Sequence, residues 1–261
     1  METPHVLLTN DDGIDAVGFR ALYDALDEFA EVTAVAPADD RSAVGRSMSR
    51  EVAVEEHELG YAIRGTPADC TVVGLESLCP GVDVVVAGCN KGANLGAYVL
   101  GRSGTVSAAV EAAFFDVPAI AASLYVPGGN GEWDHAADHP DDYRNATEAA
   151  SYLTANALDS GVFDRAEYLN VNAPIWERGT DLAPLEVTEP SRLYDMRAER
   201  NGGTIRLLDN VWERMRTGDL PDPPGTDRRA IVEGRVSVSP LTAPHSTHHH
   251  DALDELADAY R

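Results

Sequence analysis

The chain has 261 residues, a formal net charge of −24 and a single lysine, Lys91. That length suits one large α/β domain, or one domain with an appendage, and no apolar run approaches the ~20 residues of a membrane span. The acidic balance excludes nucleic acid as a partner, because a nucleic-acid binder carries the opposite sign.

Val6 to Thr9 is an apolar run that ends at Asn10-Asp11-Asp12-Gly13 and reads as a short buried strand. Phe19, Leu22, Leu26 and Phe29 then fall on one helical face, and Val32 to Ala36 is a second strand. Pro37 to Arg46 is a polar loop. Thr66-Pro67 reads as an N-cap followed by proline at N1, opening a helix through Leu75. Val82 to Ala87 is a fully apolar strand, and Gly88 to Gly104 a glycine-rich loop. Val106, Val110 and Phe114 mark a helix, and Ala119 to Leu124 a further strand. This rhythm predicts a parallel, doubly wound sheet, a Rossmann-like α/β/α arrangement.

The second half is less regular. Gly128 to Asp142 reads as an acidic surface insertion, Thr147 to Leu158 as a helix and Tyr168 to Asn172 as a strand. Tyr194 to Leu208, centred on Asn201-Gly202-Gly203, reads as a β-hairpin. Leu220 to Thr226 is a linker, Ala230 to Val238 a strand, and Asp251 to Tyr260 a helix capped by Asp251. The expected division is a catalytic core over 1–190 and a hairpin with a C-terminal arm over 191–261. The strand at 230–238 is expected to pack with the core.

Other features narrow the setting. Residues 1–5 hold no basic n-region of a signal peptide. Cys70, Cys79 and Cys89 are odd in number and lack metal-ligand spacing, which fits buried thiols in a reducing cytoplasm. The acidity itself reads either as that of a generally acidic protein or as adaptation to multimolar salt, where a Debye length of roughly 3 Å screens surface repulsion.

Four segments should open on one edge of the sheet, where α/β proteins bind ligands. Asp11 and Asp12 place two anionic oxygens side by side, a repulsion that a hard divalent cation relieves. Ser42 and Asn90 offer neutral oxygens that complete a shell without adding charge. Ser103-Gly104-Thr105 opens a helix whose N–H groups and dipole suit a phosphate, and Asn94 can donate an amide to the same anion. Arg41 is either a surface cation or a substrate ligand. Each piece alone has a plainer reading as turn or cap chemistry, and only their joint placement points to metal-assisted phosphoryl hydrolysis. His245, His248, His249 and His250 form a tract resembling a metal site, but adjacent histidines do not easily share one ion, and an incidental role is expected.

With these segments in order, the chain resembles the SurE family of survival-protein nucleotidases. The resemblance rests on Leu8 to Gly13, Ala36-Pro37 to Ser42, Gly65 to Cys70, Gly88 to Gly96 and Ser103 to Thr105. Leu169 to Pro174, Gly225-Thr226-Asp227 and Val236 to Leu241 add later support. It implies a Rossmann-like core with an extended hairpin (Tyr194 to Trp212) and a C-terminal arm. It implies a phosphomonoesterase acting on nucleoside 5′- and 3′-monophosphates, with one Mg²⁺ or Mn²⁺ per subunit, in a homodimer or homotetramer. Metal-ligand positions correspond to Asp11, Asp12, Ser42 and Asn90. Phosphate-contact positions correspond to Asn94, Ser103, Gly104 and Thr105. Asp11 is the residue expected to act as general base or nucleophile. Short polyphosphate is a further substrate of some members, so an exopolyphosphatase or general acid phosphatase is one alternative. A non-catalytic nucleotide-binding stress protein is another. Three stretches depart from the family pattern: Leu95 to Arg102, Gly128 to Asp142, and the hairpin region Arg197 to Arg216.

Overall fold

The computed structural model of the chain describes residues 3–127, 137–243, 245 and 251–260. In chain order, β1 (His5–Thr9), α1 (Val17–Asp27) and β2 (Glu31–Pro37) lead into a short hairpin, β3 (Val54–His57) and β4 (Gly60–Ile63). Then come α2 (Pro67–Val73) with a π-helical turn at Gly74–Leu78, β5 (Val84–Lys91), α3 (Ala97–Leu100), α4 (Gly104–Phe114) and β6 (Ala119–Tyr125). α5 (Arg144–Ala157), β7 (Tyr168–Pro174), β8 (Leu185–Val187), β9 (Met196–Asn201) and β10 (Thr204–Asp209) follow. The last elements are α6 (Asn210–Thr217), α7 (Asp227–Val232), β11 (Val236–Leu241) and α8 (Asp251–Ala259).

One nine-stranded sheet runs β3-β4-β2-β1-β5-β6-β7-β11-β8, and β9 and β10 form a separate pair. Its centre, β4-β2-β1-β5-β6-β7, is parallel, while β3 and β11 run antiparallel to β4 and β7. Alternation along each strand fills both faces. Val6 and Leu8 join Phe19, Leu22 and Leu26 of α1 and the alanines of α5 on one side. Leu7, Val35 and Val85 join Cys70, Val106, Ala109 and Ala112 under α2 and α4 on the other. The result is the three-layer α/β/α fold expected. All three cysteines are free and buried. Among the described residues no helix is long and apolar enough to cross a membrane.

Several expectations are corrected. The segment 230–238 is not one strand: Ala230 to Val232 complete α7, and the strand starts at Val236. Thr226-Asp227 opens a helical turn there, and a six-residue helix leaves too few periods to separate from weak alternation. The stretch 88–104 is not all loop, since β5 continues to Lys91 and α3 occupies Ala97–Leu100. The C-terminal helix α8 spans Asp251–Ala259, with Asp251 and Asp254 in its first turn. The hairpin turns at Gly202-Gly203 but ends at Asp209, where α6 begins. Of the insertion at Gly128 to Asp142, residues 128–136 lie outside the described residues, as do His248 to His250. Pro140–Tyr143 is a 3₁₀ turn whose Tyr143 is buried in the core.

Gly65-Thr66-Pro67-Ala68-Asp69-Cys70 explains itself structurally. Thr66 Oγ1 accepts the Asp69 N–H at 3.1 Å, and Asp69 Oδ2 accepts the Thr66 N–H at 2.8 Å, a reciprocal capping box. Asp69 Oδ1 also accepts the Ser49 N–H at 2.7 Å and so ties down the loop after Ser42. Burial alone would raise the Asp69 carboxyl, but the Thr66 and Ser49 donors outweigh it and hold it below the ordinary range. A depressed carboxyl stabilises the fold above its unfolded value and loses that contribution as pH falls through the folded one. Asp69→Asn is therefore expected to lower the melting temperature at pH 7. Its deficit against wild type should shrink towards pH 3, which thermal melts across that range check.

Candidate active site

β1 is the switch point of the sheet: β2 lies on one side of it and β5 on the other. The crevice at such a point, beyond the carboxyl ends of the strands, is where α/β folds bind ligands. The loops after β1, β2 and β5 and the start of α4 meet there.

Asp11 is buried, 3 % exposed, immediately past the end of β1. Thr105 Oγ1 donates to Asp11 Oδ1 at 2.5 Å, and the Arg41 backbone N–H donates to the Asp11 carbonyl at 2.6 Å. Asp12 Oδ2 accepts the Lys91 backbone N–H at 2.7 Å. One loop thus binds its neighbours from the ends of β2, β5 and α4. Gly13 has φ +101°, and a Cβ there would lie 3.4 Å from the Asp39 backbone. That packing brings the 39–42 loop onto the acidic pair.

Electrostatics at the pair are unfavourable in isolation. Burial raises the Asp11 carboxyl above its ordinary value, although the Thr105 hydroxyl and amide pull it back. Burial, followed by the charge of Asp11, pushes Asp12 up to about 7. Asp40 contributes a third negative charge to both. Like charges ~4 Å apart repel by about 4 kcal/mol at an effective dielectric near 20, so such a cluster favours a cation.

The neutral oxygens fit that demand. Ser42 donates its N–H at 2.7 Å and its hydroxyl at 2.6 Å to Asp40 Oδ1, which leaves the Oγ lone pairs free. Asn90 is buried at the end of β5, after a register shift between Ala87 and Asn90. It gives its amide N–H to the Gly92 carbonyl at 2.5 Å, leaving Oδ1 as the available donor atom. Two carboxylates and two neutral oxygens would, together, make a hard donor set of the kind that suits Mg²⁺ or Mn²⁺. Among the described residues no three His, Cys, Asp or Glu side chains gather to hold an ion, because half of this set is Ser and Asn.

Ser103 and Thr105 are used differently from the simplest cradle. Ser103 Oγ accepts the Val106 N–H at 3.0 Å as the cap of α4, while the Thr105 hydroxyl is committed to Asp11. Gly104 lies against the acidic pair: a Cβ there would fall 2.7 Å from Asp11 Cβ and Oδ2. Gly104→Ala must displace Asp11. A shift of about 1 Å at a reacting group costs about a hundredfold in rate. That loss in kcat/KM is expected, and steady-state kinetics beside a thermal melt would separate it from unfolding.

Asn94 is held on all sides. Its N–H donates to Asn172 Oδ1 at 2.7 Å, and its Nδ2 to Ser123 Oγ at 2.9 Å. Its carbonyl accepts Asn170 Nδ2 at 2.9 Å and Asn172 Nδ2 at 3.2 Å. The Arg41 side chain is exposed on the same loop as Ser42. Sequence reading gave no role to Asp40, Ser123, Asn170 or Asn172. The alternation Asn170-Val171-Asn172 inside a buried strand was the available signal, since amides that deep must be hydrogen-bonded. His245 is exposed.

Fold and crevice define a class: doubly wound α/β proteins whose switch-point site pairs clustered carboxylates with a helix N-terminus. A family model described as "Survival protein SurE" matches residues 6–196. The chain belongs to the SurE family. It is 63% identical over 261 residues to a "5'-nucleotidase SurE" of Haloquadratum walsbyi, covering 99% of this chain and 98% of that protein. It is 64% identical over 256 residues to the protein of the same name in Natronomonas pharaonis, covering 98% and 99%. The SurE protein of Aquifex aeolicus has a crystal structure that matches with a TM-score of 0.79 at 27% identity, over 98% of this chain and 100% of that one.

Proposed function

We propose that this chain is a metal-dependent phosphomonoesterase that releases phosphate from nucleoside 5′- and 3′-monophosphates. The observation that carries the reading is the pair of buried Asp11 and half-buried Asp12, pinned between the 39–42 loop, the end of β5 and the first turn of α4. Relatives named 5'-nucleotidase along nearly the whole chain support it.

Asp11, Asp12, Ser42 and Asn90 would hold one Mg²⁺ or Mn²⁺. When bound, the ion supplies neutralisation of charge at the phosphate oxygens. Asn94, with Ser103, Gly104 and Thr105 at the start of α4, would hold the phosphate, and Arg41, exposed on the 39–42 loop, would meet its outer oxygens. Thr105 fixes Asp11 through its hydroxyl, so Asp11 can take a proton from water or attack phosphorus with its free oxygen. Trapping a phospho-aspartate on Asp11 would mark direct attack, in which water then cleaves the new P–O bond and its oxygen leaves in the phosphate.

The supporting experiment is a phosphate-release screen of nucleoside monophosphates and tripolyphosphate with Mg²⁺ or Mn²⁺ at ~2–3 M KCl, where surface charge is screened. Turnover of AMP or GMP well above tripolyphosphate is expected. Tripolyphosphate as the better substrate would make it an exopolyphosphatase, and no turnover with either metal would overturn the enzymatic reading.

The remaining assignments rest on surface features. Residues 191–261 serve as an assembly region for a homodimer or homotetramer. Ile205 and Leu207 are exposed on one face of the β9–β10 hairpin, Leu253 and Leu256 are exposed at helical spacing along α8, and Tyr260 is exposed just past its end. Three free, buried thiols favour the cytoplasm. The net charge of −24 favours a salt-adapted surface and no nucleic-acid partner.

A further inference from the structure

The motif Gly225-Thr226-Asp227 lies beyond the residues matched by the family model, 6–196, and no step of the proposed chemistry uses it. Its aspartate is nevertheless fully buried beside the loop that carries Asn94. Asp227 Oδ2 accepts the Gly96 N–H at 2.6 Å, across 131 residues of chain. Asp227 Oδ1 accepts the N–H groups of Ser191 at 2.9 Å and Arg228 at 2.7 Å. The next residue completes the grip: Arg228, also fully buried, donates Nη2 to the Leu95 carbonyl at 3.1 Å. Its Nη1 donates to the Leu193 carbonyl at 2.9 Å and to Ser191 Oγ at 3.1 Å. Gly96, with φ +88°, lies so close that a Cβ there would be 2.0 Å from Nη2. The guanidinium also lies 5.1 Å from the centroid of the Tyr98 ring.

A buried charge pair is a poor source of stability, because desolvation consumes most of its attraction and apolar side chains of equal volume do as well. What it does supply is a single loop conformation. Leu95 and Gly96 are fixed by Asp227 and Arg228, and the adjacent Asn94 is fixed by Asn170, Asn172 and Ser123.

We infer that Asp227 and Arg228 are positioning residues for the substrate phosphate: they lock the Gly92-to-Gly96 loop and thereby aim Asn94. The inference rests on the reading of Asn94 as a phosphate contact. It makes phosphate binding depend on a segment that follows the hairpin, far from every metal-ligand position in the chain.

The test is calorimetric titration of inorganic phosphate, and separately of Mg²⁺ alone, into wild type, Asn94→Ala, Asp227→Asn and the double variant. Arg228→Lys joins the set as a variant that keeps the charge but gives up the paired carbonyl contacts, and it carries the test if Asp227→Asn does not fold. Asn94→Ala, Asp227→Asn and Arg228→Lys are each expected to weaken phosphate about tenfold, with the double variant no weaker than Asn94→Ala. Mg²⁺ affinity is expected to stay within about twofold of wild type, since no metal-ligand position is touched. Unchanged phosphate affinity in Asp227→Asn and Arg228→Lys, beside a weakened Asn94→Ala, overturns this inference alone. So do additive losses in the double variant, or Mg²⁺ affinity falling in step with phosphate. Unchanged phosphate affinity in Asn94→Ala overturns instead the role given to Asn94.

Discussion

Asp11→Asn is expected to reduce kcat/KM for phosphate release from AMP by roughly a thousandfold, while the protein stays folded. Asparagine matches the aspartate in shape, and the Thr105 hydroxyl that now donates to Oδ1 can turn and accept from an amide. The substitution removes an anion from a place where burial disfavours it. A carboxyl raised in the folded state costs stability above its unfolded value, and that cost disappears as pH falls below it. In chelator, Asp11→Asn is therefore expected to melt higher than wild type at pH 7, with the gain fading towards pH 4. Activity lost and metal-free stability gained is a signature that damage to the fold does not produce. Kinetics beside melts at two pH values check it, and a variant that turns over AMP normally would remove Asp11 from the chemistry.

Transfer from ~2 M KCl to ~50 mM salt is expected to unfold the protein or lower its melting temperature by about 10–20 °C. That shift corresponds to a loss of about 5 kcal/mol in a domain of this size. Two physical effects act together. A net charge of −24 repels itself once the Debye length grows beyond the few ångströms it has in concentrated salt. The core is also lean: Ala108, Ala109, Ala112 and Ala113 on α4, and Ala146, Ala149, Ala150 and Ala157 on α5, bury one methyl each where larger side chains would bury several carbons. Excluded salts strengthen burial of this kind, so their removal weakens the interior while it unscreens the surface. Circular dichroism on desalting and on return to KCl checks it. An unchanged spectrum and melting temperature at low salt would identify the acidity as ordinary surface composition.

Periodicity made the central layers legible. The runs at Val6, Val32, Val82, Ala119 and Tyr168 are strands because their residues are buried on both faces. The β3–β4 hairpin was not legible, since its outer strand reads Val-Glu-Glu-His, and charge on an edge strand hides the alternation while protecting the edge. β8, with three residues, is too short for any period to show. At the site, the residues that carry charge stood out because Asp-Asp and Ser-Gly-Thr are local patterns. The residues that hold them in place were hidden because their partners are distant: Gly96 meets Asp227 and Asn94 meets Asn172 only after folding. The strand assigned at 230–238 failed for a related reason, as α7 exists to deliver Asp227 and Arg228 and has too little length to show its own period.

β8 precedes β11 in the chain, yet among the described strands it pairs with β11 alone, and β11 in turn fills the edge left by β7. The outer third of the sheet is therefore assembled backwards, from the last strand to the earlier one. On a ribosome adding 5–20 residues per second, roughly seventy residues separate the end of β7 from the end of β11, so the β7 edge stays bare for about 3–13 s. An unpaired parallel edge is a template for pairing with other chains. Aggregation in this protein is thus a hazard of synthesis and refolding, and one that the finished sheet no longer carries at β7.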